Sequence, residues 1–263
     1  MNSHGLLTCS HYAFPPNSLH YCGPEKQNDL IGYQGEQIAD QGLAEIIRDF
    51  QTLYPYLTLI AQENNIRDPF DPRVVEAYWI GNELLKNVSM RQFYRHFTDS
   101  LHLKKRLKRK DFELLTGKFD GGALPHHTFH VLNIFTRTGH HAVEHTLETM
   151  DACRIGWGKV VKNTNKSHPE FISGSIQIET RPLVLENGKL TLGNETSKQI
   201  NITDSQIIKH PAERDLASPD KPEILNRYVS FHWNTFCDFL TELQARNLEY
   251  YTLRAIHLAN QTI

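Results

Sequence analysis

The sequence predicts an α+β protein: a helical N-terminal lobe, a small antiparallel β sheet or barrel, and a long C-terminal helix that packs back. Three observations predict it. Apolar residues recur at helical spacing between Gln41 and Phe119, as in Leu43, Ile46, Ile47 and Phe50. After Ile155 the pattern changes to short runs alternating with period two, as in SIQIE. Two such runs flank Asn187-Gly188 in PLVLENGKLTLG, a dipeptide that tolerates positive φ at both centres of a type I′ turn.

Taken in order, the first 37 or so residues mix Pro, Gly, Cys and aromatic residues. They read as irregular but ordered, because Tyr, Phe and Leu need a surface to pack on. Helices follow from Pro55 to Asn64 and from Asp71, which resembles an N-cap before Pro72 at the first helical position. Ser89-x-x-Gln92 fits a capping box for a helix through Phe97. Residues 124–137 are read as helix, and Val143, Leu147 and Met150 form a stripe on a helix ending near Cys153. GKVVK, SIQIE, QINI and YVSFHW are strand candidates, and HPAERDLASPDKPE is a Pro-rich loop. Phe236 to Asn260 reads as one long helix. The boundary falls at residue 154: a helical lobe covers residues 1–154, and a β unit with the closing helix covers residues 155–263.

Composition narrows the function. The 263 residues are 39% hydrophobic and 22% charged, ordinary values for a globular chain. Thirty acidic and 28 basic side chains give a net charge of −2, so no global field points to nucleic acid or an anionic membrane. No stretch is apolar over spanning length, and the start lacks the basic end and apolar run of a signal peptide. Four scattered cysteines fit a reducing cytoplasm with free or metal-bound thiols. GxSxG, P-loop and GxGxxG sequences are absent, so no nucleotide cofactor is expected. The run KKRLKRK at 104–110 reads as a solvated helix face.

Histidine is the informative excess, at 15 residues. His126, His127, His130, His140, His141, His145 and Cys153 fall within 28 residues. On a helix His126 and His130 share a face one turn apart, as do His141 and His145, and such pairs can hold a metal ion. The competing reading is solvated or hydrogen-bonded histidine. His232 ends the last strand candidate, and Cys237 is placed at the start of the last helix, where the dipole favours thiolate; alternatively it is a small buried hydrophobe. Cys22, in YCGP, is presented by a tight turn. Asp151, Arg154 and Trp157 form a polar cluster where the lobes meet, read as a structural ion pair. The candidate metal ligands are therefore Cys22, His126, His130, Cys153, His232 and Cys237, and mixed imidazole and thiolate donors suit iron, zinc or nickel.

The strings NSHGLLTCSHYAFPPNSLHYCGP, LYPYLTLIA, DPFDPRVVEAYWIGNELL, PHHTFHVLNIFTRTG, MDACRIGWGKV, VSFHWNTFCDFLT and HLAN resemble an uncharacterised family of bacterial and archaeal cytoplasmic proteins. Some of its members are encoded beside nickel–iron hydrogenase genes. The β unit is similar to the small barrel of hydrogenase-assembly chaperones, which handle an iron cofactor through an N-terminal cysteine. Met1-Asn2 departs from that start, which leaves Cys22 as the candidate thiol. The resemblance implies a cytoplasmic accessory or maturation protein for a metalloenzyme, with a hydrogenase subunit or maturation factor as partner. The alternatives are a metal-dependent enzyme acting on a small molecule and a structural or regulatory adaptor.

Overall fold

The computed structural model describes residues 1–134, 144–163, 174–203 and 224–263. It has the predicted α+β architecture, with one correction at each end of the chain.

The N-terminal segment is helical rather than irregular. Helix α1 spans Ser3–Ser18 and α2 spans Gln27–Glu36. Asn2 caps α1 by accepting from the Gly5 amide at 3.0 Å. Pro15 and Pro16, which argue against helix in a sequence, sit in its last turn. Leu6, Cys9, Tyr12 and Ala13 are buried on α1, which runs through the middle of the core. Gly5 allows this close approach: a β-carbon there would collide with the Phe70 carbonyl oxygen.

The next five helices are α3 (Gln41–Arg48), α4 (Leu53–Glu63), α5 (Pro72–Trp79), α6 (Met90–Arg95) and α7 (Leu103–Arg106). They are followed by α8 (Arg109–Gly117), α9 (His127–Asn133) and α10 (Leu147–Cys153). The Asp71 cap and Pro72 at the first position of α5 are as the sequence predicts. Ser89 caps α6 through Gln92, but its own amide goes to Glu63, and the helix passes into a single π turn over His96–Ser100. The basic run lies on α7, the turn through the half-buried Leu107 and Lys108, and the start of α8, with its charged side chains exposed. Val143 and the loop HPAERDLASPDKPE lie outside the described residues.

Strands β1 (Gly156–Asn163), β2 (Gly174–Thr180), β5 (Thr196–Ile202), β7 (Thr235–Leu240) and β6 (Tyr228–His232) close a barrel in that spatial order. All its pairings are antiparallel except β5 with β7, which run parallel and close the barrel through Asn201 and Thr235. Val160, Ile176, Ile178, Ile200, Ile202, Val229, Phe231 and Phe236 fill the interior, so the barrel is a packed core. Strands β3 (Leu183–Glu186) and β4 (Lys189–Leu192) form a separate hairpin whose turn has positive φ at both Asn187 and Gly188.

The second correction concerns Phe236 to Asn260. It is two elements: strand β7, then a helix over Glu242–Ala259. The capping box that opens this helix is Thr241-x-x-Gln244, with both reciprocal bonds formed. The helix packs back onto the helical lobe and the hairpin. Asn133 Nδ2 donates to the Ala255 carbonyl and the Leu190 amide donates to Asn260 Oδ1. Tyr251 donates to the Asn82 carbonyl at 2.8 Å over Gly81, whose φ of +96° and missing β-carbon make room for the ring.

Candidate metal centre

Three short elements converge where the barrel meets the helices. Cys153 is the last residue of α10, His127 the first residue of α9, and His232 the last residue of β6. The β6–β7 turn fixes the convergence. Trp233 and Asn234 both have positive φ, +48° and +60°, a two-residue I′ turn built without glycine. The Trp233 amide donates to the Ala152 carbonyl at 2.8 Å, which clamps His232 beside the end of α10. Left-handed backbone at a tryptophan is strained, and here it sits next to the cluster.

One donor atom each from His127, Cys153 and His232 lie within 4.8 Å of one another, and all three residues are buried. The ring protonation follows from the partners. His127 Nε2 lies 2.9 Å from the Cys153 carbonyl oxygen. A carbonyl only accepts, so Nε2 carries the proton and Nδ1 the lone pair, which accepts from the Tyr78 hydroxyl at 3.1 Å. His232 Nδ1 lies 2.8 Å from the Tyr12 carbonyl, so its lone pair is on Nε2. Each imidazole thus donates one N–H to a backbone carbonyl, the arrangement that orients metal-ligating histidines, and a metal on His127 Nδ1 would take the place of the Tyr78 hydroxyl there. Burial holds His127 well below the usual imidazole range, and the neighbouring His232, His130 and His126 rings add to this. His127 is therefore neutral, the form that ligates.

An aromatic wall supports the group. Trp79 packs on His127 and His232 with ring centroids 4.6 and 5.8 Å away, and Tyr12 stacks on Trp79. In front lies a cleft of about 630 Å³, including solvent at its mouth. Cys22, His130 and His145 line it together with the three donors, and Phe50, Leu53 and Val131 make its walls apolar. Gly23, with φ +80°, forms the turn after Cys22 by packing directly against the Phe50 ring.

Of the six sequence candidates, this cleft gathers Cys22, His130, Cys153 and His232. His130 accepts from or donates to the Tyr56 hydroxyl through Nδ1 at 3.2 Å. The other two lie elsewhere. His126 does not share a helical face with His130, because it precedes the helix as its N-cap and its Nδ1 accepts from the Thr128 amide. It stacks on Tyr251 and is buried, which pulls its pKa to about 3. Cys237 is not at a helix N-terminus; it is buried within β7, and burial, helped by Asp238, pushes its thiol well above the ordinary range. The reactive-thiolate reading of Cys237 is thereby overturned. His140 and His141 lie outside the described residues. The residue that sequence reasoning passed over is His127.

With the geometry in view, comparison with known proteins adds one fact: the model of a family of unknown function matches residues 1–263, the whole chain. The chain belongs to DUF6390. No curated protein and no solved structure matches this DUF6390 chain. Among the described residues, no helix is long and apolar enough to cross a membrane.

Proposed function

We propose that His127, Cys153 and His232 bind a first-row transition metal and that the protein is a metal-dependent enzyme acting on a small, largely apolar molecule held in the adjoining cleft. The observation that carries this reading is the pair of imidazoles whose outer N–H groups are both committed to backbone carbonyls, beside a buried thiol within 4.8 Å. A merely structural histidine has no need of a thiol and a second imidazole converging on it. Two nitrogens and one sulfur suit zinc, iron or nickel. His127, Cys153 and His232 would hold the metal, which would supply Lewis acidity toward an oxygen of water or substrate. The chain's own residues define the rest. Trp79 and Tyr12 exclude water from behind, Tyr78 offers a hydroxyl at His127, and the apolar walls select the ligand by shape.

A second reading follows from Cys22, a half-buried thiol lining the same cleft. It supports a cytoplasmic maturation role, in which Cys22 accepts a metal fragment for delivery to a metalloenzyme such as a nickel–iron hydrogenase.

Chelator competition tests the metal site. The wild type is expected to take up one equivalent of zinc, and His127→Ala, Cys153→Ser and His232→Ala each to lose about 100-fold or more in affinity, at least the effect of removing an outer hydrogen-bond partner. Equal affinity in all three variants would end the proposal. Cys22→Ser separates the two readings: the enzyme reading predicts unchanged affinity, whereas a role in metal acceptance predicts weaker binding.

A further inference from the structure

A second cavity lies away from the metal centre, between α8, the end of α9 and the C-terminus. It measures about 570 Å³ including its mouth and is lined by Leu107, Leu114, Leu115 and Ile134 together with the Asp111 carboxylate. Lys118 also lines it, and only 2% of Lys118 is exposed. Its amine donates to Asn133 Oδ1 at 2.8 Å and to Thr262 Oγ1 at 2.9 Å. Both partners are neutral, and among the described residues no carboxylate pairs with it. A buried ammonium without a counter-charge is costly, and an ammonium has three N–H donors, of which two are used here.

We infer that this cavity binds a small monocarboxylate with a short hydrocarbon body, whose oxygens take the third Lys118 donor and whose chain lies on the leucine and isoleucine walls. A single ammonium matches a single negative charge, and the apolar lining favours a hydrocarbon over a second polar group. Burial pulls the amine down to about 8, which an anion beside it would reverse. The cationic side chains of Lys104, Lys105, Arg106, Lys108 and Lys110 stand exposed on α7, on the first turn of α8 and on the turn between them, and raise the local concentration of anions.

Calorimetric titration of the full chain with hexanoate, and with hexan-1-ol as the neutral isostere, tests this. Hexanoate is expected to bind and hexan-1-ol to bind at least about tenfold more weakly, a difference of about 1.4 kcal/mol. Lys118→Met is expected to abolish the preference for the anion. Leu114→Trp, at a position 44% exposed and so tolerant of a larger ring, is expected to weaken both ligands by narrowing the cavity. Failure of hexanoate to bind up to its solubility would overturn the inference. So would equal binding of acid and alcohol to the wild type, or hexanoate binding unchanged by Leu114→Trp.

Discussion

Metal-free protein is expected to lose stability steeply as the pH falls below 6.5. His96 and His126 are buried, and burial pulls both imidazoles from 6.5 to about 3. His127 is pulled down as well. In the unfolded chain these rings take up protons near 6.5, whereas in the folded chain they do not until the pH is far lower. Between those limits the unfolded state binds more protons, so stability is complete above 6.5 and is lost on acidification. Three such rings give a slope of about 4 kcal/mol per pH unit. Asp238 opposes it: burial raises its carboxyl from 3.8 to about 6, so the folded state gains a proton first in that window. One proton subtracted leaves about 2.7 kcal/mol per pH unit, so the three units from about 6 to about 3 remove about 8 kcal/mol, within the range of a typical folding margin. Urea midpoints of chelator-treated protein, measured from pH 7 to pH 4, read this directly. A flat profile would mean that the buried rings are already protonated in the fold.

Asp151→Ala is expected to destabilise by about 3–5 kcal/mol, because it leaves Arg154 buried and uncompensated. Arg154 is 1% exposed; its guanidinium donates to Asp151 Oδ1 at 2.8 Å and to the Arg181 carbonyl at 2.7 Å, and lies over Trp157. Asp151 also accepts from the Leu183 amide, tying α10 to the β3–β4 hairpin. Removing both charges in Asp151→Leu/Arg154→Met is expected to recover part of the loss, since an apolar pair needs no partner. Denaturant unfolding of the three variants checks this. A double variant less stable than Asp151→Ala would contradict the account.

The Asp151–Arg154–Trp157 cluster was legible because i, i+3 spacing at a helix end places the two charges together. The hairpin at Asn187-Gly188 and the cap at Asp71-Pro72 were legible for the same reason: their determinants are local. The helical α1 was not, since its burial on several sides removes the amphipathic stripe and its two prolines read as breakers. In β7, TFCDFL has no clear period, and the real helix start lay one capping box later, at Thr241-x-x-Gln244.

The candidate site divides the same way. Its donor types were visible in the histidine excess, but the pairing of His126 with His130 assumed a helix beginning before His126. The cap at His126 starts the helix at His127, three residues later than expected, and leaves His127 facing Cys153. The meeting of Cys153 with His232 depends on the Trp233 amide reaching the Ala152 carbonyl across a turn without glycine. A tertiary bond of that kind leaves no periodic trace in a sequence.

Cobalt(II) substitution tests the central claim most directly. Titrated anaerobically into metal-free protein, one equivalent is expected to produce a near-ultraviolet thiolate-to-cobalt charge-transfer band that disappears in Cys153→Ser and persists in Cys237→Ser. A spectrum without that band, or a band unchanged in Cys153→Ser, would contradict the assignment of His127, Cys153 and His232 as a metal centre.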